Sequence, residues 1–155
     1  MQMAGAVLLL AAAAAIIIRL RNDEKRYMQA LQCAAAIVRH AGRKIRLYGT
    51  PTEEILSDFD NGCGRKWMNI RNGTGFKETL LPILSRLQGQ EYKVFSEFVE
   101  KIGRGYRDDA LKLCEYTLAC LEERVTQAEV EHPSRMRLYT ALPLLSAVSL
   151  FVLFL

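Results

Sequence analysis

Histidine is nearly absent from this chain, with only His40 and His132, and the four cysteines (Cys33, Cys63, Cys114 and Cys120) form no CxxC pair. Neither set has metal-ligand spacing, so no metal site is expected. The sequence contains no GxxxxGK[ST] phosphate loop, no HExxH and no GxSxG. The signatures of nucleotide cradling, zinc proteolysis and serine hydrolysis are therefore missing, and no cofactor is expected. Gly62-Cys63-Gly64 and Gly103-Arg104-Gly105 are rich in glycine but follow no strand pattern, so they read as turns. No stretch alternates as a strand, and no repeat of roughly 20–50 residues recurs. Charge is missing from both ends: MQMAGAVLLLAAAAAIII (1–18) and LPLLSAVSLFVLFL (142–155) carry none.

All 21 basic and 17 acidic residues fall between Arg19 and Arg137. A helix needs about 20 apolar residues to cross the hydrocarbon core. The first run reaches that length, and the last does so if its helix begins near residue 136, with Arg135 and Arg137 snorkelling toward the headgroups. Arg19, Arg21, Lys25 and Arg26 follow the first run, and Arg135 and Arg137 precede the last. Basic residues at membrane ends stay on the cytoplasmic side, so both flanks place the charged middle in the cytoplasm and both termini outside. A cleaved signal peptide would carry its charge before the apolar core rather than after it. The expected organisation is a transmembrane helix at 1–18, a cytoplasmic helical bundle at 19–135 and a transmembrane helix at 136–155.

The net charge of +4 mixes both signs, which excludes a nucleic-acid-binding arm. The basic clusters at 19–26 and 39–46 (with His40, Arg43 and Lys44) suit either an anionic inner leaflet or a solvated face. Cytoplasmic thiols stay reduced, and Cys33, Cys114 and Cys120 sit among helical apolar residues as small core side chains.

Within the middle, Tyr27, Leu31, Ala34, Val38 and Ala41 recur with a 3.6-residue period, widened by Ala30, Cys33 and Ile37. Nothing interrupts that helix before Gly42. Gly49 then supplies backbone freedom. Thr50 caps a helix over 51–59 with Pro51 at its first position and Glu53 completing a capping box, and Ile55, Leu56 and Phe59 face inward. A turn at 60–64, a short helix at 65–71 anchored by Trp67 and Ile70, and a turn at 72–75 follow. Helices are expected at 74–87, kinked or split by Pro82, and at 91–102 on Phe95, Phe98, Val99 and Ile102. The final cytoplasmic helix runs over 107–131, with Ala110, Leu113, Cys114, Thr117, Leu121, Val125 and Ala128 inside. Asp109, Lys112, Glu115, Glu122, Glu123, Gln127 and Glu129 lie outside. His132-Pro133 breaks or bends it, because the residue before proline avoids the helical region. The fold class is all-α, an antiparallel helical bundle flanked by the two membrane helices.

The layout, and above all Ile45-Arg46-Leu47-Tyr48-Gly49-Thr50-Pro51 and the Ile102-Gly103-Arg104 turn before a long charged helix, resembles the stage III sporulation protein AB family of endospore-forming bacteria. Where that family has a small residue, an acid and a glutamine after the Gly-basic pair, this chain has Gly105, Tyr106 and Ala110. The resemblance implies a part in the channel between mother cell and forespore, in the mother-cell membrane around the forespore. It also implies a cytoplasmic domain similar to that of the inner-membrane platform of type II secretion and type IV pilus machines. By that analogy the protein is a scaffold rather than an enzyme. Its partners would be a cytoplasmic secretion-type ATPase and other sporulation channel membrane proteins. The candidate partner-binding residues are Tyr48, Gly49 and Pro51 in one turn, Gly103 and Arg104 in another, and Glu115, Glu122 and Glu123 on the acidic face. The alternative is a small membrane-associated hydrolase or thiol enzyme centred on Cys63. A membrane-permeabilising oligomer is disfavoured by the large charged middle.

Overall fold

The computed structural model describes residues 2–49, 51–56, 59 and 75–153. The expected turns at 60–64 and 72–75, the helix at 65–71 with Trp67 and Ile70, the Thr50 cap and Cys63 all lie outside those residues, apart from Gly75. Among the described residues there are five helices and no strand: α1 Gln2–Tyr48, α2 Thr52–Ile55, α3 Phe76–Leu84, α4 Gly89–Lys101 and α5 Arg107–Leu153. The all-α class read from the sequence holds. The chain forms two compact units, one of Met1–Arg26 with Ala128–Leu155 and one of Tyr27–Gln127.

Unit Tyr27–Gln127 is the helical bundle. The stripe on α1 is buried as its period requires: Ala30, Leu31, Cys33, Ala34, Ile37, Val38, Ala41 and Ile45 are all within the core. Opposite them stand Leu80 and Ile83 of α3, Phe95 and Phe98 of α4, and Cys114, Thr117 and Leu121 of α5. The Phe95 and Phe98 rings lie 5.9 Å apart, and Phe76 adds a third ring 6.5 Å from Phe98. Burying each such ring removes a large apolar area from water and dominates the core energy. Helices α3 and α4 form an antiparallel hairpin, with Lys77 on one reaching Glu100 on the other at 3.3 Å. Gly89 opens α4 at φ +64, a left-handed conformation that glycine adopts without steric cost.

Three expectations about element ends need correction. Helix α2 starts at Thr52 with an extended Pro51 (φ −59, ψ 148) as the residue before it, and it stops at Ile55. The cause lies on α1. In a continuing helix the Ile55 carbonyl would accept from residue 59. Instead His40 Nε2 donates to that carbonyl at 3.0 Å, while the Phe59 amide turns to Leu56 at 3.2 Å. Phe59 stays buried, edge-on to His40 at 5.2 Å. Helix α3 is not split at Pro82; it runs on to Leu84, and Leu87 closes the following turn onto Leu84 at 3.2 Å. Helix α5 does not break at Pro133, nor at Pro143, but runs through both. Each proline withholds one donor from the carbonyl four residues earlier, and its fixed φ is still helical, so a long helix can absorb the loss.

In unit Met1–Arg26 with Ala128–Leu155, both sequence ends are helical. Among the described residues no helix is long and apolar enough to cross a membrane. The side chains of residues 1–10, 147, 150, 151 and 153–155, which make up much of both apolar runs, lie outside the described set. The flanking spans therefore rest on the sequence.

Thr117 is wholly buried in the bundle, and its hydroxyl has no hydrogen-bond partner among the described residues. A buried, unbonded hydroxyl costs roughly 1–3 kcal/mol relative to an apolar group of the same shape. Thr117→Val should therefore raise the unfolding midpoint of the detergent-solubilised chain. A lowered midpoint would mean that the hydroxyl is bonded after all.

Candidate functional site

The two candidate turns meet at one end of the Tyr27–Gln127 unit. Helix α1 ends at Tyr48, and Gly49 takes φ +58 so that its amide can return to Ile45 at 3.2 Å. This is the usual left-handed glycine stop, in which a Cβ would be strained. The Arg107 guanidinium, in the first turn of α5, donates to the Arg46 carbonyl. A cation there meets the negative end of the α1 dipole and occupies a carbonyl left over by the helix terminus. At the other partner's end, Asp108 and Asp109 sit in the first turn of α5, where the dipole favours acids. One hydrogen bond thus brings the turn of Tyr48, Gly49 and Pro51 to the turn of Gly103 and Arg104.

The surface so formed is apolar and cationic. Leu47 is 63% exposed, Tyr48 75% and Tyr106 86%. Lys44 Nζ stands 5.7 Å from the Tyr48 ring centroid, a cation–π distance. Gly49, Pro51, Gly103 and Arg104 are all exposed. Tyr106 lies within the turn singled out from the sequence but is not itself a named candidate, and Leu47 is not one either. The available signal was a tyrosine flanked by Gly105 and Arg107 in a turn, where no core face needs it.

The three acidic residues do not form one face. Glu115 pairs with Arg46 and Glu122 with Arg39, each at 2.5 Å, so both turn toward α1. Seven residues separate the two glutamates and the two arginines alike, as an antiparallel helix pair demands. Glu123 instead borders a cavity of about 180 Å³ between α4 and α5, next to Gln90 and Arg124, which are joined at 2.9 Å. The basic cluster on α1 is also partly spent inside the fold. Arg39 and Arg46 are paired, and His40 faces the core. A second cleft, of about 210 Å³, lies between α1 and α5 over Val38, Gly42, Leu111 and Cys114, with Arg43 on its rim.

The thiols divide by depth. Cys33 and Cys114 are buried and Cys120 is half-buried. Burial, helped by the neighbouring Glu115 carboxylate, pushes the Cys114 thiol from its ordinary 9.0 up to about 11. Exposed Tyr116 is also pushed up, first by its hydrogen bond with Cys120.

A family model described as stage III sporulation protein AB matches residues 2–155. No curated protein and no solved structure matches the chain.

The thiol geometry sets a chemical test. At pH 7 a thiol titrating at about 11 is roughly one part in ten thousand thiolate, the form that reacts with alkylating agents. Cys114 should therefore label far more slowly than Cys120 in the folded chain and equally once unfolded. The protonated thiol is the form the fold favours, so its contribution is present below pH 9.0 and is lost as pH rises toward about 11. Cys114→Ala should flatten that part of the stability profile. Labelling of Cys63 much faster than the other three would favour the thiol-enzyme reading.

Proposed function

The chain belongs to the stage III sporulation protein AB family, and on that premise we propose that it is a membrane-anchored, non-catalytic scaffold of the channel between mother cell and forespore. It docks a cytoplasmic secretion-type ATPase to the channel's membrane components. Residues 1–18 and 136–155 span the mother-cell membrane, 19–135 face the cytoplasm and both termini lie outside.

One observation carries this reading: among the large apolar side chains left exposed, two groups stand in different surroundings. In the terminal unit, Ile18, Leu142, Leu145 and Val152 are between 63% and 69% exposed, and no charged residue lies beyond Arg137. A surface apolar on all sides and free of charge suits lipid. In the bundle, Leu47, Tyr48 and Tyr106 are exposed beside Lys44, Arg104 and Arg107. Tyrosine and arginine around an apolar centre are the chemistry of protein–protein hot spots. Of the acidic residues, Glu115 stands nearest this surface through its pair with Arg46, and Glu122 and Glu123 extend the proposed contact along α5.

A pull-down of the full chain from spore-forming cells early in development tests the proposal. The expected result is recovery of a secretion-type ATPase together with other sporulation membrane proteins. Tyr48→Ala combined with Tyr106→Ala should abolish ATPase recovery while helical content stays unchanged, since neither side chain is buried. Glu115→Lys with Glu122→Lys should weaken it at little cost in stability, because exposed ion pairs are worth about 0–1 kcal/mol. Undiminished recovery by a folded Tyr48→Ala/Tyr106→Ala variant would remove the docking surface from that end of the bundle.

A further inference from the structure

In the terminal unit, α1 and α5 enclose an open groove of about 380 Å³ lined by Arg21, Met136, Arg137, Thr140, Ala141 and Leu144. Its chemistry is divided. The Thr140 hydroxyl already donates to the Met136 carbonyl at 2.9 Å, so the donors the lining side chains leave for a ligand are the two guanidiniums. The rest of the lining is apolar.

The arginines near this groove fall into two kinds. Arg135 is neutralised, holding Glu131 at 2.6 Å and reaching Glu24 at 3.8 Å, and the Glu24 side chain is only 11% exposed. Arg21 and Arg137, which line the groove, make no ion pair with any described residue. Two cations without an ion pair thus line one groove, while Glu24 and Glu131 are taken by Arg135.

Their place in the chain supplies the second argument. Arg21 lies just past the point where α1 changes from apolar to charged, and Arg137 is the last charged residue of the chain. The two boundaries belong to opposite ends of the sequence, yet the groove brings them to one level. Below that level on α5 the lining becomes Ala141 and Leu144, with no charge beyond.

We propose that this groove binds the headgroup of an anionic phospholipid, with Arg21 and Arg137 clamping its phosphate and one acyl chain lying along Met136, Ala141 and Leu144. Guanidinium is the side chain best matched to phosphate oxygens, through paired N–H donors in a fixed fork. The proposal rests on the membrane-anchored reading above.

The test uses the full chain. Flotation with phosphatidylcholine vesicles in alkaline carbonate reports membrane insertion alone. Native mass spectrometry and thermal unfolding after exchange into phosphatidylcholine nanodiscs, with and without phosphatidylglycerol, report the site. Insertion should be the same for the wild type, for Arg21→Gln/Arg137→Gln and for the charge-matched control Arg19→Gln/Lys25→Gln. Phosphatidylglycerol should remain bound to the wild type and to the control, and should bind about thirtyfold more weakly to Arg21→Gln/Arg137→Gln. Equal loss in both double variants would reduce the effect to general surface attraction and overturn the site. Equal competition by soluble glycerol phosphate would show phosphate binding without lipid and overturn the lipid assignment. Failure to float with vesicles would defeat the membrane reading, and this proposal with it.

Discussion

Within the bundle, everything hangs on the antiparallel register of α1 against α5. The heptad-spaced pairs Arg39–Glu122 and Arg46–Glu115 display that register but do not set it, since both are substantially exposed and such pairs contribute little. It is set by buried shape. Gly42 on α1 lies against Cys114 on α5, where an added methyl group would make ordinary contact with Cys114 Cβ at 3.4 Å. With that spacing fixed, Arg107 reaches the carbonyl end of α1, and the two turns come together as one surface. The α3–α4 hairpin then fills the remaining side, tied to α1 by the Tyr27–Glu91 hydrogen bond and to α5 by Arg124 on Gln90.

Much of this was legible in the sequence because helical burial is periodic. The stripes on α1 and α4 named the buried residues almost one for one, including Leu31, Val38, Phe95 and Phe98, while on α5 Ala110, Cys114, Thr117 and Leu121 are buried and Leu113, Val125 and Ala128 only half-buried. The glycine stop at Gly49 was legible because only a residue without Cβ fits a left-handed φ cheaply. Family membership was legible as well, through the layout and two short turns.

What was not legible depended on partners distant in sequence. The end of α2 is decided by His40 on another helix, and no local pattern announces that. Proline misled at Pro133 because a sequence shows the donor lost but not the helix on either side that tolerates the loss. The acidic residues lie outside as the period requires, but their different neighbours were not legible for a related reason. Glu122 and Glu123 are neighbours in sequence but about 100° apart around a helix, so one meets α1 and the other borders α4. The convergence of Leu47 and Tyr106 likewise needed the fold, not the period.

The buried face of α1 is made largely of small side chains, Ala30, Cys33, Ala34, Ala35 and Ala41, whereas α4 answers with Phe95 and Phe98. The two helices therefore face opposite evolutionary constraints. Most substitutions at these small α1 positions add volume, and nearly every one on the α4 pair removes it. In a core packed to crystal-like density neither can drift alone. Sequence divergence in this bundle should proceed by reciprocal exchange, a larger residue on α1 arriving with a smaller one across from it.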